Sequence, residues 1–302
     1  MIENFNLRAV RTVEFGVCVE PENQESVVLV PASSDIKGAL EEMLGFTVAQ
    51  WEQIDAEWRD FEIAEKYAST ERLRAPLDAE ELARLREMYS WTNLPPRSDA
   101  LAAPGEVIYY FAQFYDDLGR KLVGVRRATQ FKGLVKARNR LVQMMNDTLK
   151  LVEAEIFRLD VDFDFLLTST HAYILRPSGL EFIADVGAYT TERASEKALA
   201  LAHRLTFVDF SPIAQYAATH KRAARLVASI SVRADLEKVD RDRLVLQAKR
   251  TGVQVQEVNG LVSPAQGSEL AFLELLDYRR YEVDLIPDEP NAFVAEARRR
   301  VR

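Results

Sequence analysis

Residues 107–131 read VIYYFAQFYDDLGRKLVGVRRATQF and contain two runs of strand-forming residues on either side of a turn. The runs Val107–Phe114 and Lys121–Phe131 are rich in aromatic and β-branched residues. Between them, Asp116-Asp117-Leu118-Gly119 has the composition of a turn. The stretch therefore predicts a β-hairpin.

The residues before this hairpin predict a second hairpin and three helices. Apolar and polar residues alternate over 12–20, and Val27–Val30 supplies a partner strand. Ser34 is the expected start of a short helix that ends at Gly45, and Thr47 with Gln50 forms a capping-box pattern for a second helix. That second helix would place Trp51, Ile54, Trp58 and Phe61 on its core face, and a third helix is expected at about 78–89.

The residues after the hairpin alternate between helical and strand patterns. We expect a helix at about 134–149, strands at 154–159, 163–167 and 172–175, and a mostly helical region over 191–250 in which Ser211-Pro212 starts one helix. Residues 253–258 and Asn259-Gly260 predict a hairpin with a type I′ turn, followed by a helix at 269–276 and a strand at 279–285.

This order of elements predicts an α+β fold with antiparallel and mixed sheets, helical insertions and two subdomains. By composition we divide the chain into an acidic hairpin-and-helix region (1–92), a linker or long loop (93–106) and an α+β region (107–302). The middle segment carries Pro95, Pro96 and Pro104 and has no apolar periodicity.

The overall composition excludes several protein classes. The 302 residues are 48% hydrophobic and 28% charged, which is typical of a folded chain. A single cysteine excludes an internal disulfide framework, and no apolar stretch reaches the length of a membrane helix. The first residues do not resemble a signal peptide. We therefore expect a cytoplasmic protein.

Charge is distributed unevenly along the chain. The net charge is −8, and residues 1–90 contain 19 acidic and 9 basic side chains. Residues 118–150 contain nine basic side chains and one acidic one, and no carboxylate occurs between Asp117 and Asp147. We call residues 118–150 the basic block. Such a block predicts a polyanion-binding surface, because each cation near a phosphate releases condensed counterions.

We expect the polyanion contacts to come from the basic block and from a second patch on a predicted helix at 220–232. The block contributes Arg126, Arg127, Lys132, Lys136, Arg138 and Arg140, and the second patch contributes Lys221, Arg222 and Arg225. Arg138 falls in the apolar stripe of the predicted 134–149 helix, so it must snorkel, pair with a carboxylate or reach a ligand. An ordinary solvated face is the alternative for the second patch.

Local motifs give no support for catalysis. Asp160, Asp162 and Asp164 alternate and would point to one side of a strand as a cation site, but Phe165 and His171 stand where a calcium loop needs Gly and Glu. A turn that leads into a half-buried strand is the simpler interpretation. We predict no catalytic residue, no metal ligand and no cofactor.

Residues 155–167, EIFRLDVDFDFLL, followed by AYILRP at 172–177 and LEFI at 180–183, are the most distinctive part of the chain. They resemble the core of the KwaB family, the second component of the Kiwa anti-phage defence system. The resemblance implies a homodimeric DNA-binding effector in the cytoplasm. It also implies assembly with KwaA, a small membrane-embedded partner that would recruit the protein to the inner membrane.

The sequence thus favours a non-catalytic, largely sequence-independent protein that binds double-stranded DNA. Two alternatives remain open. One is a metal-dependent nuclease that uses Asp160, Asp162 or Asp164. The other is a scaffold whose acidic N-terminal half binds another protein, whose basic block pairs with that half within a dimer, and which binds no nucleic acid.

Overall fold

The computed structural model describes residues 2, 5–21, 24–101, 106–128, 157–283 and 291–296, together with the backbone of 142–145 and 148–151. The chain packs into two compact units. Unit 1 contains residues 1–60 and 70–184, and unit 2 contains residues 61–69 and 185–302. Each unit has its own cluster of buried apolar side chains. The α+β class predicted from the sequence is confirmed.

Unit 1 is built on an eight-stranded sheet with the order β2-β1-β5-β6-β9-β10-β4-β3. Neighbouring strands are antiparallel except β3 and β4, which are parallel. The strands are β1 (Val10–Val19), β2 (Ser26–Val30), β3 (Trp58–Asp60), β4 (Arg72–Pro76), β5 (Val107–Asp116), β6 (Lys121–Arg127), β9 (Phe165–Leu167) and β10 (His171–Ile174). The helices are α1 (Ser34–Glu52), α2 (Ala83–Ser90) and α3 (Pro177–Ile183).

The strands β5 and β6 form the hairpin that the sequence predicted, and they are interior strands of this sheet. Tyr109, Tyr110 and Phe111 of β5 are fully buried, because β5 is paired on both edges and covered on both faces. β1 pairs with β5, so strands that precede and follow the predicted 93–106 segment in the sequence belong to one sheet. Gly124 of β6 lets the ring of Phe163 approach the backbone so closely that a Cβ at this position would overlap it.

Helix α1 corrects two predictions for the N-terminal region. It runs without a break from Ser34 to Glu52, because Gly45 is exposed and solvent-facing glycine is tolerated inside a helix. Thr47 is therefore not an N-cap, and its hydroxyl donates instead to the Met43 carbonyl at 2.7 Å. Trp58 lies in β3 and packs edge-on against Trp51, so the predicted helical stripe was wrong.

The helix predicted over 134–149 is wrong at residues 142–145 and 148–149. Strands β7 (Val142–Met145) and β8 (Thr148–Leu151) form a two-stranded antiparallel sheet there. The apolar run suits both helical and strand periods, and the turn-forming pair Asn146-Asp147 favours the hairpin. Residues 134–141 of that prediction lie outside the described residues. The strand predicted at 154–159 is also wrong where it can be compared, because residues 157–159 are not in a strand.

Unit 2 consists of helices and two small hairpins. The helices are α4 (Val186–Glu192), α5 (Ala194–Leu201), α6 (Ser211–Ala217), α7 (Lys221–Ser231), α8 (Arg241–Arg250) and α9 (Glu269–Leu276). The hairpin strands are β11 (Val255–Val258) with β12 (Leu261–Pro264), and β13 (Arg280–Val283) with β14 (Asn291–Val294). Asn259 and Gly260 both have positive φ, which confirms the predicted Asn-Gly turn.

Asp116 holds the turn between β5 and β6. It accepts hydrogen bonds from the backbone of Asn6, Leu118 and Arg120 and from the Arg120 guanidinium at 2.7 Å. Burial alone would raise the pKa of Asp116, but these donors lower it to about 2. The ionised form is therefore the one that stabilises the turn.

Replacing Asp116 with Asn should make the stability of the folded chain less dependent on pH in the acidic range. Because the pKa of Asp116 is lower in the folded chain than the ordinary value of 3.8, its contribution is present above pH 4 and is lost as the pH falls toward 2. We expect Asp116→Asn to lower the melting temperature most at pH 6, with the difference from wild type shrinking by pH 3. Calorimetry across this range measures it, and a constant difference at every pH would contradict the assignment.

Candidate functional site

One arginine at the end of β6 contacts three carboxylates. The Arg126 guanidinium lies 2.7 Å from Asp164 Oδ1, 3.2 Å from Asp160 Oδ2 and 3.3 Å from Asp162 Oδ1. The three aspartate side chains are at most 9% exposed, and that of Arg126 is 14% exposed. We call these four residues the Arg126 cluster.

Backbone hydrogen bonds bring the three carboxylates together although residues 160–164 are not in a strand. The Asp160 N–H donates to the Tyr110 hydroxyl at 2.9 Å, and the Asp164 N–H donates to the Val125 carbonyl at 2.8 Å. Between them, the Phe163 N–H donates to the Thr47 hydroxyl at 2.9 Å. The sequence alternation thus places three carboxylates around one cation, and that cation is a guanidinium.

Further donors complete the cluster. Arg176, at the start of α3, lies 2.7 Å from Asp162 Oδ2, and the Gln50 amide of α1 donates to the same oxygen at 2.6 Å. Arg158 lies 3.7 Å from Asp160. The sequence analysis missed Arg176 and Gln50. Arg176 stands inside the distinctive AYILRP stretch, whereas nothing in the sequence marks Gln50.

The surroundings shift the pKa values of two of the carboxyls in opposite directions. Burial would raise the pKa of Asp162, but hydrogen bonds from Arg176 and Gln50 and the nearby Arg126 charge hold it below its usual range. Burial dominates at Asp164 and raises its pKa, against the lowering by the Arg127 N–H and the two arginines. The neighbouring carboxylates raise the pKa of Arg126.

Arg127 is exposed, although it adjoins Arg126 in the sequence. Successive side chains of a strand point to opposite faces, so the two arginines lie in different surroundings. The Arg127 guanidinium carbon lies 3.8 Å from the centroid of the Phe182 ring of α3. Its backbone N–H donates to Asp164 Oδ2 at 2.8 Å, which ties the position of Arg127 to the Arg126 cluster.

Two other cations of the basic block have partners inside unit 1. Arg120 pairs with Asp116, as described above. The Lys121 ammonium donates to the Trp91 carbonyl at 2.7 Å, and burial lowers its pKa to about 8. Part of the charge of the block therefore serves the fold.

Of the other residues predicted to contact DNA, four lie outside the described residues and three lie on α7. Lys132, Lys136, Arg138 and Arg140 lie outside the described residues. Lys221, Arg222 and Arg225 lie on α7 in unit 2, whereas Arg126 and Arg127 belong to unit 1. Lys221 and Arg222 are exposed, Arg225 is half-buried, and Arg222 pairs with the buried Glu274 at 2.7 Å.

Substitutions at the two adjacent arginines should differ strongly in their effect on stability. Arg126→Met would leave buried carboxylates without their shared cation and should cost about 3–5 kcal/mol. Arg127→Met removes only an exposed stack on Phe182 and should cost less than about 1 kcal/mol. Urea unfolding of both variants and wild type provides the comparison. Equal losses would show that the Arg126 cluster does not hold the fold in this way.

The described part of the chain contains no group of three or more His, Cys, Asp or Glu side chains arranged to hold a metal ion. Nor does any helix within it have the length and apolar character needed to cross a membrane.

The comparisons with known proteins give one match. The family model described as "Kiwa protein KwaB-like" matches residues 107–285, from the first residue of β5 to just beyond β13. Neither the curated proteins nor the solved structures contain a match to the chain.

Proposed function

Because the chain belongs to the KwaB-like family of Kiwa anti-phage defence components, we propose that it is a non-catalytic effector that binds double-stranded DNA with little sequence preference. The family implies a Kiwa system with other components. The proposal concerns the DNA, the partner and the residues through which this chain acts.

The charge of the basic block is the observation that carries the proposal. Residues 118–150 contain nine cationic side chains and one carboxylate, although the whole chain has a net charge of −8. Because the cations of this acidic protein are concentrated in one segment, that segment can bind a polyanion.

The structure refines which cations are available to DNA. Arg120 and Arg126 pair with carboxylates of unit 1, and the Lys121 ammonium donates to the Trp91 carbonyl, so these three cations already have partners within unit 1. We assign Arg126 a positioning role, since it holds the segment to which Arg127 is hydrogen-bonded. The proposed phosphate contacts are Arg127, Lys132, Lys136, Arg138 and Arg140, with Lys221, Arg222 and Arg225 as a second surface. Arg222 is kept although it pairs with Glu274, because 59% of its side chain is exposed.

Because the proposed contacts are with phosphates, we expect the protein to bind DNA with little preference for its sequence. Hydrogen bonds to phosphates position a protein on DNA but carry no base information. Phe131 is the only aromatic residue in the basic block, so base stacking along a single strand has little support there.

The Arg126 cluster favours binding over cleavage. A nuclease would need the carboxylates of Asp160, Asp162 or Asp164 to hold a divalent metal ion. In this structure all three contact Arg126, and Asp162 also contacts Arg176. A metal ion would have to displace these guanidinium groups.

We further propose that the protein acts as a homodimer and reaches the inner membrane through a KwaA-like membrane partner. The family membership supports the existence of a partner, because a Kiwa component works with other components, whereas the homodimer is what the resemblance of the sequence implies.

Reversing two cations of the basic block should weaken binding to every DNA sequence. For Lys136→Glu with Arg140→Glu, we expect a lower affinity and a log–log salt dependence that is shallower by about two, because two phosphate contacts are lost. Fluorescence anisotropy with two unrelated duplexes over a salt series measures both quantities.

A matched control makes the same change in net charge elsewhere. Lys37→Glu with Arg11→Glu replaces two exposed cations of the acidic N-terminal region. The control should bind like wild type. Unchanged binding by the Lys136/Arg140 variant at low salt would remove the assignment, and no DNA binding by the wild type would favour the scaffold alternative. DNA cleavage in Mg²⁺ or Mn²⁺ that is lost in Asp162→Asn would overturn the non-catalytic part.

A further inference from the structure

A cavity of about 770 Å³ lies beside Arg127 in unit 1. This volume falls within the roughly 300–1,000 Å³ typical of small-molecule sites. Its walls are the adjacent ends of β1 and β5, the end of β6 and one side of α3. They include Glu20, Glu106, Ile108, Arg127, Ser178 and Phe182.

One wall is a flat stack of a guanidinium on a ring. Arg127 Cζ lies 3.8 Å from the Phe182 centroid, and Phe182 is 43% exposed, which is unusual for a phenylalanine. Unpaired nucleobases stack on aromatic rings and on arginine planes. This wall therefore suits a planar heterocycle that extends the stack.

The other side of the cavity carries two acidic residues. Glu20 and Glu106 are held side by side, because the Glu20 N–H donates to the Glu106 carbonyl at 3.1 Å. Both residues are exposed, and neither forms a salt bridge with another described residue. Carboxylates accept hydrogen bonds and cannot donate them, so they select a ligand with an amino group.

The charge balance disfavours a phosphate inside the cavity, so the DNA phosphate proposed for Arg127 would contact the guanidinium from outside the cavity. The Arg126 charge is neutralised by its carboxylates, so Arg127 alone faces Glu20 and Glu106. A phosphate would be repelled by the two glutamates, and a lysine or arginine side chain stacked on Phe182 would be repelled by Arg127. A neutral ring with an amino group meets neither repulsion.

We propose that this cavity takes up one unstacked base with an exocyclic amino group, which is adenine, cytosine or guanine, from bound DNA, with the ring stacked at Arg127 and Phe182 and its amino group donating to Glu20 or Glu106. The inference rests on the proposed DNA binding and adds a site for an unpaired base. Thymine has no exocyclic amino group, and its one ring donor, N3–H, lies between two carbonyl oxygens that the glutamates repel, so it should be excluded.

Duplexes with a single unpaired base test this site. Anisotropy titrations would compare a fully paired duplex with duplexes of the same sequence that carry one bulged cytosine, adenine or thymine. We expect the wild type to bind the cytosine and adenine bulges at least about fivefold more tightly than the paired duplex. The thymine bulge should give no such gain, which controls for the added flexibility of bulged DNA.

Two variants connect the preference to the cavity. Phe182→Ala should abolish the gain for cytosine and adenine while leaving affinity for the paired duplex within about twofold. Phe46→Ala, at an exposed phenylalanine of α1 that does not line the cavity, should keep the gain. Glu106→Gln, which adds an amide donor, should reduce the discrimination against thymine.

The outcomes separate this inference from the proposed function. Equal binding of all four duplexes, or a preference that survives Phe182→Ala, would overturn the cavity site and leave the DNA-binding proposal intact. Failure of the wild type to bind any duplex at low salt would overturn both.

Discussion

Three buried carboxylates that share the Arg126 guanidinium form the interaction on which the geometry of unit 1 depends. A buried charge is costly unless it is paired, so Asp160, Asp162 and Asp164 can approach one another only with a cation between them. Arg126 comes from β6, Arg176 from the start of α3 and Gln50 from α1. The cluster therefore ties two helices and the segment before β9 to the central hairpin.

The same cluster determines where Arg127 lies. Asp164 contacts the Arg126 side chain with one oxygen and the Arg127 backbone N–H with the other. A Cβ at Gly179 would overlap the Asp164 carboxylate, so α3 can pack against the cluster only with glycine at this position. This packing brings Phe182 under the Arg127 guanidinium. The two adjacent arginines of β6 therefore differ in role. Arg126 is largely buried and stabilises the fold, whereas Arg127 is exposed and can contact a ligand.

The elements with a single consistent signal could be predicted from the sequence. The alternation over 12–20, the strands around the Asp116 turn and the Asn259-Gly260 hairpin all have local patterns that the structure confirms. The errors occurred where one pattern suits two structures. Gly45 resembles a helix end but is an exposed glycine within α1, and the apolar residues of 142–149 suit both a helix and the observed hairpin.

The candidate site was only partly predictable because charge along a sequence does not show which cations have internal partners. The basic block marked the segment, whereas at the three aspartates the sequence favoured a turn over a cation site. That the cation is Arg126 depends on contacts between residues more than 30 positions apart. The Arg127–Phe182 stack also depends on the position of α3, which no local pattern records.

Hydrogen–deuterium exchange with and without a DNA duplex tests most directly the claim that the Arg126 cluster supports the fold while the basic block binds DNA. The account predicts that DNA slows exchange in peptides from the block C-terminal to Arg126. Exchange in the buried parts of β5 and β9 should stay as slow as in the free protein. DNA-dependent protection centred on residues 157–167, with no change in the block, would contradict the account.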